Sequence, residues 1–320
     1  MDSRAMTAPE LSVIIPTYNR KEILLKTLAG YQAQSARSEI LEVLVLDDGS
    51  TDGTPDAVSE LTRGAEIPVR YLRLTHRGPA ALRNLGIHEA KGRLLLFGDD
   101  DIVPGPGMVG EHLAWHKRFP EPAVAVLGLV EWAPEVKPTP FMQWLAKDGI
   151  LFGYAHLKPG QQAGFRCFYS CNLSLKTDFL RENGLFDEDF KGPALEDTEL
   201  GYRLEKRGLR LLYNPGAVGY HHRLMPFAVA CRRAKLVAAA WRVMETKEAG
   251  QYLAKVEAAP KHTLPSRVKR PVLKLVVPFM GLLRPLLDTQ IGLPRFAYRR
   301  IYRYLAELPA ERQAKRSPLR

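Results

Sequence analysis

Cysteine is scarce in this sequence of 320 residues. Its three cysteines, Cys167, Cys171 and Cys231, are too few for a disulfide framework and are odd in number, which is typical of a reducing compartment. Cys167 and Cys171 lack the usual two-residue zinc spacing, and no second pair follows them. We therefore expect free thiols and no zinc site.

Long uncharged apolar runs are also missing. A membrane-spanning helix needs about 20 predominantly apolar residues, and the best candidate, residues 272–287, is interrupted by Lys274, Arg284 and two prolines. The first ten residues contain charged side chains and no apolar run, so we expect no secretory signal in them. These features predict a cytoplasmic catalytic part without a spanning helix.

The last third of the chain is poor in acidic residues. Residues 223–320 contain 21 Lys and Arg against 6 Asp and Glu, whereas residues 1–222 contain 25 against 29. The net charge of +11 therefore comes from the C-terminal third. Such a charge favours an anionic partner, which leaves an anionic lipid surface, a nucleic acid or an acidic polymer open.

Strand-like and helix-like patterns alternate up to about residue 131. Short apolar runs predict buried strands, and apolar residues at helical spacing between them predict helices. Four such alternations are typical of a parallel sheet covered by helices on both faces. The predicted strands are 11–15, 41–46, 69–74, 94–97 and 123–130, and the predicted helices are 21–34, 54–61, 79–90 and 108–119.

The second half of the chain is less regular. Residues 133–166 contain several prolines and aromatic residues, and a segment of this length is either a functional lid or poorly ordered. From residue 225 the chain is predicted to be helical, basic and broken by prolines. Between residues 166 and 225, strands are predicted at 168–175, 209–213 and 217–220, and helices at 177–183 and 196–207. We expect a catalytic domain over residues 1–222 and a basic helical region over residues 223–320.

Two acidic clusters each follow an apolar run that predicts a buried strand. They are Asp47-Asp48-Gly49-Ser50 and Asp99-Asp100-Asp101. Crowded carboxylates at the end of a buried strand repel one another unless a cation or hydrogen-bond donors hold them. The carboxyl ends of parallel strands are also where ligands bind. Turn formation and helix capping are the alternative for both clusters, but three consecutive aspartates favour a metal site.

Five sequence blocks in a fixed order resemble inverting family-2 glycosyltransferases of the GT-A fold. The resemblance spans roughly residues 11–222, and the order of the blocks makes it specific. The blocks are Pro16-Thr17-Tyr18-Asn19-Arg20, then Asp47-Asp48-Gly49-Ser50-Thr51-Asp52, the stretch from Arg77 to Gly86, Asp99-Asp100-Asp101, and Phe186-Asp187-Glu188 with Glu196-Asp197. The resemblance implies an α/β fold with a mostly parallel, Rossmann-like sheet and a nucleotide-sugar donor.

The resemblance also implies roles for particular residues. Asp99 and Asp101 match the outer acids of the metal-binding DXD motif, which implies Mn²⁺ or Mg²⁺, and Asp100 is expected at the ribose or behind the metal ligands. Asp197 matches the general base, with Glu196 orienting it. Residues expected to line the nucleotide site are Pro16, Thr17, Tyr18, Asp48 and Arg83, and either His221 or His222 is expected at the diphosphate or metal.

Elementary chemistry agrees with these assignments. A sugar nucleotide carries a diphosphate that must leave with its charge compensated, and a divalent cation held by carboxylates does this. The Asp48 carboxylate suits ring N–H groups of a base, and Arg83 suits phosphate oxygens, although an exposed helix arginine is the alternative. A carboxylate such as that of Asp197 in a first helical turn also suits the helix dipole, but inverting transfer requires one base for the acceptor hydroxyl.

Two further patterns are interpreted as structural. His112 and His116 lie four residues apart on one predicted helix, but no third metal ligand is evident, so a solvated helix face is predicted. Residues 105–110 satisfy the GxGxxG pattern of dinucleotide-binding proteins. They follow the fourth strand rather than the first and lie beside three aspartates, so a Pro-Gly turn into a helix explains them better.

The sequence as a whole predicts transfer of a single sugar, by default from a UDP-sugar, to a glycan or polyprenyl-linked acceptor in cell-surface polysaccharide or glycoconjugate biosynthesis. Aromatic residues of the 133–172 segment either stack on the acceptor or only pack together. The tail over residues 267–303 is expected to contact an anionic membrane, with packing on the core or dimer formation as alternatives, and no nucleic-acid-binding module is visible. The competing functions are a nucleotidyltransferase and a non-catalytic membrane-bound scaffold.

Overall fold

The computed structural model describes residues 10–147, 151–258 and 281–316. Two compact units are present. The first comprises the residues up to 136 together with 156–223, and the second comprises 137–155 together with the residues from 224 onwards. The described strands all belong to the first unit, whereas the described part of the second is helical.

The strands of the first unit form one mixed sheet. Their order is β3-β2-β1-β4-β8-β6-β9-β5, with β7 paired to β9 outside this path. Among the described strands, β1–β4 pair in parallel, as do β6 and β9, whereas β8 is antiparallel to both of its neighbours. The strands are β1 Leu11–Thr17, β2 Ile40–Asp47, β3 Val69–Arg73, β4 Leu94–Gly98, β5 Ile102–Pro104, β6 Val124–Trp132, β7 Gln162–Ala163, β8 Asn172–Lys176 and β9 Arg210–His221.

Helices connect the strands and build the second unit. Pro stands at the start of α2, α3 and α5, where its missing N–H costs nothing. The helices are α1 Lys21–Gln32, α2 Thr54–Leu61, α3 Pro79–Glu89, α4 Met108–Arg118, α5 Pro140–Lys147, α6 Thr177–Asn183, α7 Glu196–Lys206, α8 Phe227–Met244, α9 Glu248–Ala258, α10 Arg295–Tyr302 and α11 Leu308–Arg316.

Both faces of the sheet are covered in the parallel half. Alternate residues of β1 point to opposite faces, so Val13 and Ile15 pack with Leu24 of α1 and Leu113 of α4 in one core cluster. Ile14 points the other way, where α3 approaches so closely that a Cβ on Gly86 would lie 2.8 Å from an Ile14 methyl carbon. Burial on both faces explains why β1, β2 and β4 are mostly apolar, and two of the buried exceptions, Ser12 and Glu42, are hydrogen-bonded to each other.

The predicted α/β class and C-terminal helical extension are confirmed. The first four strands form the predicted parallel sheet, but β8 separates β4 from β6, so the sheet continues as a mixed one. One strand, β9, with a register shift at Gly128/Leu129 of its partner, replaces the two short strands predicted there. The segment predicted to be irregular contains α5 and three short 3₁₀ turns.

The second unit has an aromatic core. Phe141 and Trp144 of α5 lie 5.8 Å apart between ring centroids, and the Trp144 ring lies 5.8 Å from those of Tyr298 and Tyr302 on α10. These four aromatic side chains are almost completely buried. Within the described residues, no helix combines the length and apolar character that crossing a bilayer requires.

Gly128 of β6 has no room for a side chain. A Cβ there would lie 2.5 Å from the Ala217 carbonyl oxygen and would also collide with the Asn172 side chain. Because one of these groups is backbone, the Gly128→Ala substitution is expected to lower the free energy of unfolding by about 1–3 kcal/mol in urea denaturation. Gly164→Ala is the matched control, since nothing lies within 4 Å of its Cβ position and its φ is −78°. Equal stability of the two variants would contradict this packing.

Candidate active site

The carboxyl ends of β1 and β4 bring the first and fourth sequence blocks together. Because β1 and β4 are parallel neighbours, their following loops share one edge of the sheet. Thr17 Oγ1 donates a hydrogen bond of 2.8 Å to the Asp100 carboxylate, and Arg20 donates to Asp100 at 2.8 Å and to Asp101 at 2.6 Å. The predicted nucleotide-site residues Thr17 and Asp100 are therefore in direct contact.

Basic side chains surround the Asp101 carboxylate. Besides Arg20, His221 Nε2 lies 3.7 Å and an Arg223 nitrogen 3.8 Å from Asp101 oxygens. Burial acts to raise the pKa of Asp101, but His221, Arg20 and Arg223 outweigh it and hold the pKa well below its ordinary value. Burial and the charge of Asp101 raise the pKa of Asp100. Of the two carboxyl groups, Asp101 therefore stays ionised to the lower pH.

Asp99 is held by Arg83 from α3. One guanidinium nitrogen of Arg83 donates to Asp99 at 2.9 Å, and the other donates to Glu196 of α7 at 3.0 Å. The Arg83 side chain is only 5 % exposed, which excludes the exposed-arginine alternative. Its Nε and the second Glu196 oxygen are buried without a hydrogen-bond partner. Arg83 thus links the Asp99–Asp101 loop to the start of α7.

The start of α7 presents Asp197. Its carboxylate accepts a hydrogen bond of 2.7 Å from the Thr198 N–H, so it occupies the first turn of the helix. The preceding residue, Leu195, has a φ of 68°, a conformation that costs an apolar L-residue energy and is commonly found at functional sites. Burial and the charge of Asp197 raise the pKa of Glu196, although Arg83 opposes this.

Asp48 and Tyr18 organise the other side of this edge. The Asp48 carboxylate accepts hydrogen bonds from the backbone N–H groups of Arg77 (2.7 Å) and Gly78 (3.1 Å), which fixes the start of α3. The Tyr18 ring is 45 % exposed and meets the His76 ring edge-on at 5.5 Å. The contacts of Asp48 are thus with the loop before α3, while Pro16 is the penultimate residue of β1 and pairs with Leu46 of β2.

The two adjacent histidines have different surroundings. The ring of His221 lies beside Asp101 and stacks on Trp132 with centroids 5.1 Å apart. The His222 ring instead lies 3.2 Å from Lys26 Nζ and 3.5 Å from Glu135, and only its backbone N–H reaches Asp101, through the carbonyl oxygen. Of the two alternatives, His221 lies nearer the carboxylates.

The donor set suits a divalent cation that binds together with a diphosphate. In the described part of the chain, no three His, Cys, Asp or Glu side chains form a ready-made metal cage. Mg²⁺ is usually held by one or two carboxylates plus substrate phosphates rather than by an all-protein cage. Asp99 and Asp101, two carboxylates on one turn, fit that mode, and Gly98 before them leaves room for the Tyr31 hydroxyl, which would lie 2.7 Å from a Cβ.

The sequence reasoning missed Arg20 and Arg223. Both contact the aspartates, yet arginine after a strand is so common on surfaces that neither was assigned a role. The available signal was position, since Arg20 closes the block that follows β1 and Arg223 directly follows His221 and His222. Basic residues next to ligand-binding motifs at a strand end are therefore worth testing as partners of the acids.

His112 and His116 do not lie on a solvated face, as the sequence had suggested. Both are buried, because α4 packs on the sheet. His112 is 2.8 Å from both Ser174 and Asn172 of β8, and His116 is 2.8 Å from Ser174 and 2.9 Å from Lys176. They belong to a polar chain inside the fold rather than to a metal site.

This buried pair makes stability depend on pH. Burial lowers the pKa of His112 to about 4, and burial with the charge of Lys176 lowers that of His116 to about 3. Between pH 6.5 and about 4 the unfolded chain therefore binds protons that the folded chain does not. Each histidine is expected to remove about 1.4 kcal/mol of stability per pH unit as the pH falls through this range.

Urea unfolding at several pH values measures this effect. His112→Gln is expected to flatten the dependence of unfolding free energy on pH, relative to the unsubstituted protein, between pH 6.5 and 4.5. His88→Gln is the control, because that side chain is exposed in the folded protein. An unchanged slope in the His112 variant would contradict the assignment.

Comparison with known proteins gives the same answer as the site. Residues 12–167 match the family model described as glycosyl transferase family 2. The validoxylamine A glucosyltransferase of Streptomyces hygroscopicus subsp. limoneus is 35 % identical over 223 residues, which cover 63 % of this chain and 49 % of that protein. The chain thus spans about half the length of that relative.

Solved structures share the fold at low sequence identity. The mannosyltransferase PcManGT from Pyrobaculum calidifontis, in complex with GDP-Man and Mn²⁺, superposes with a TM-score of 0.56 at 20 % identity, covering 97 % of this chain and 74 % of that one. S. aureus TarS 1–349 in complex with UDP-GlcNAc gives 0.55 at 15 % identity, covering 96 % and 90 %. The resemblance expected from the five blocks is confirmed: residues 12–167 belong to glycosyl transferase family 2, and the solved structures share the GT-A fold with this chain.

Proposed function

We propose that this chain is an inverting, metal-dependent glycosyltransferase that moves one sugar from a nucleotide donor to a glycan or lipid-linked acceptor. The observation that carries the proposal is the link through Arg83 between Asp99, on the expected metal loop, and Glu196, next to the expected base. A metal site and a base must lie on opposite sides of the same anomeric carbon, and this arginine joins the two segments that would hold them.

The residues divide the chemistry between them. Asp197 would accept the proton of the acceptor hydroxyl as its oxygen attacks the anomeric carbon and the diphosphate leaves from the opposite face, which inverts the configuration. Asp99 and Asp101 would hold the cation, and His221, whose Nε2 lies 3.7 Å from Asp101, would contact either the cation or the diphosphate. When bound, Mn²⁺ or Mg²⁺ supplies positive charge to the departing diphosphate.

The nucleotide side of the site uses the edge formed by β1, β2 and α3. Tyr18 offers an exposed ring for stacking on a nucleotide base. Pro16 and Thr17, the last two residues of β1, would bring the backbone of this strand close to the nucleotide. Asp48 supports this site through the loop at Arg77 and Gly78 and remains a candidate for contact with the base. We propose residues 1–222 as the catalytic domain, since the strands and all of these residues belong to them.

Donor choice begins with the nucleotides seen in proteins of the same fold. UDP-GlcNAc and GDP-mannose are bound in the TarS and PcManGT structures, so these and UDP-glucose head the panel. The test measures release of nucleoside diphosphate with Mn²⁺, Mg²⁺ or EDTA. We expect release from one donor that requires metal and is lost in Asp101→Asn.

Two results would favour the competing functions. If no donor of the panel binds in the presence of metal, as measured by calorimetry, the catalytic assignment is contradicted and a scaffold is favoured. Release of pyrophosphate from a nucleoside triphosphate would favour a nucleotidyltransferase.

For a lipid-linked acceptor, we propose that the basic C-terminal region contacts an anionic membrane surface.

A further inference from the structure

We infer that one face of α10, with the turn before it, inserts shallowly into an anionic lipid bilayer. The docking face is defined by Ile291, Arg295, Phe296, Arg299 and Arg300. This inference rests on the proposed function, because it deepens the membrane partner proposed there by naming the surface and the lipid charge it requires.

Two large apolar side chains on this face lie in water. Phe296 is 66 % exposed and Ile291 is 57 % exposed, and both exceed the 45 % of Tyr18 at the nucleotide edge. A single exposed apolar residue is ordinary, but two on one short segment beside cationic groups match the pattern of interfacial helices. The Arg300 guanidinium lies 6.0 Å from the Phe296 ring centroid, so charge and apolar surface are interleaved.

The opposite face of α10 anchors it within the second unit. Tyr298, Ile301 and Tyr302 are buried, and the tyrosine rings pack against Phe141 and Trp144 of α5. Positions 295, 296, 299 and 300 therefore point outward together, as residues four apart on a helix do. The exposed side chains are thus presented by a packed helix rather than by a free chain end.

Charge decides in favour of a lipid surface as the occupant. Residues 257–307 contain ten Lys and Arg against three acidic residues, Glu257, Asp288 and Glu307, the last of which lies 3.5 Å from Arg299. Anionic headgroups attract such a segment, while the acyl region beneath them accepts Phe296 and Ile291. A nucleic acid would meet the cations but would leave the isoleucine without an apolar partner, and a second copy of the chain would bring like charges together.

The test is sedimentation of the full chain with vesicles at low and high salt. We expect binding to vesicles that contain phosphatidylglycerol, none to pure phosphatidylcholine, and release at 0.5 M salt. Arg295→Gln with Arg300→Gln should weaken the partition coefficient roughly twenty-five-fold, since each basic residue contributes about a factor of five. Phe296→Ser should weaken it by roughly tenfold.

The matched control replaces an exposed apolar residue by Ser and an exposed arginine by Gln at the end of α2 and just after it. Leu61→Ser with Arg63→Gln replaces an exposed leucine and an exposed arginine of the first unit, and we expect wild-type vesicle binding. Equal binding to neutral vesicles, equal loss in the control, or a Phe296-dependent dimer in the absence of lipid would each overturn the inference.

Donor turnover without lipid separates this inference from the proposed function. Nucleoside-diphosphate release in solution is expected to be unchanged in the α10 variants, because these residues are not placed in the catalytic machinery. Release by a protein that ignores anionic vesicles would refute the docking face alone. Selective vesicle binding without release from any donor would refute the proposed transfer and leave the docking face standing.

Discussion

Replacing Asp197 with Asn is expected to lower kcat by roughly a thousandfold, the middle of the range that a general base contributes. The substitution removes the carboxylate that would take the acceptor proton but keeps the side-chain oxygen that accepts from the Thr198 N–H. The fold of α7 and the affinity for the nucleotide should therefore be retained. Steady-state kinetics with the donor that the release assay selects, together with calorimetry of nucleotide binding, measures both quantities.

Asp178→Asn is the control for this result. Asp178 also lies in the first turn of a helix, α6, and is exposed, so its loss alters a helix dipole partner without touching the site. Its kcat is expected to equal that of the unsubstituted enzyme. If Asp197→Asn kept more than a tenth of the original kcat, Asp197 would not be the base.

Replacing Arg83 with Met leaves two carboxylates without their shared cation, and the free energy of unfolding is expected to fall by about 3–5 kcal/mol. Glu196 is the more costly of the two, because its side chain is 5 % exposed whereas that of Asp99 is 34 % exposed. Loss of Arg83 also frees the Asp99 loop and the start of α7 from each other, so kcat should fall as well. Urea unfolding and kcat measured on the same preparation test both expectations.

A second substitution separates charge from packing. Arg83→Met combined with Glu196→Leu removes the buried anion as well, so much of the lost stability should return while activity stays low. Arg83→Lys keeps the charge but not the fork that spans both carboxylates, so it should fold and still lose kcat. A double variant no more stable than Arg83→Met would show that Glu196 does not require this cation.

The parallel half of the fold was predictable because its local and tertiary signals agree. β1, β2 and β4 are buried on both faces, so their sequences are mostly apolar, and a glycine followed by a proline marks the starts of α2 and α3. Strand direction beyond β4 was not predictable. Only pairing with distant residues makes β8 antiparallel between β4 and β6, and a residue pattern carries no direction.

The side-chain partners in the site were less predictable than its location. The strand-end aspartates marked the place, but a strand pattern does not show that Arg83 lies between Asp99 and Glu196, the second of which is 113 residues from Arg83 in the sequence. Because His112 is polar, the sequence predicted that it faces solvent, whereas Ser174 and Asn172 provide its hydrogen bonds inside the fold. The tail expected over residues 267–303 lies partly outside the described residues, so the docking face comprises only residues of α10 and Ile291 in the turn before it.

Calorimetric titration of the nucleoside diphosphate tests the central claim most directly. The unsubstituted protein and Asp197→Asn are expected to bind it with Mn²⁺ and to lose most of that affinity in EDTA, whereas Asp101→Asn should bind weakly in both conditions. This pattern would place a metal-assisted diphosphate site at the Asp99–Asp101 loop. Binding that is equally tight with EDTA, or unchanged in Asp101→Asn, would contradict the account.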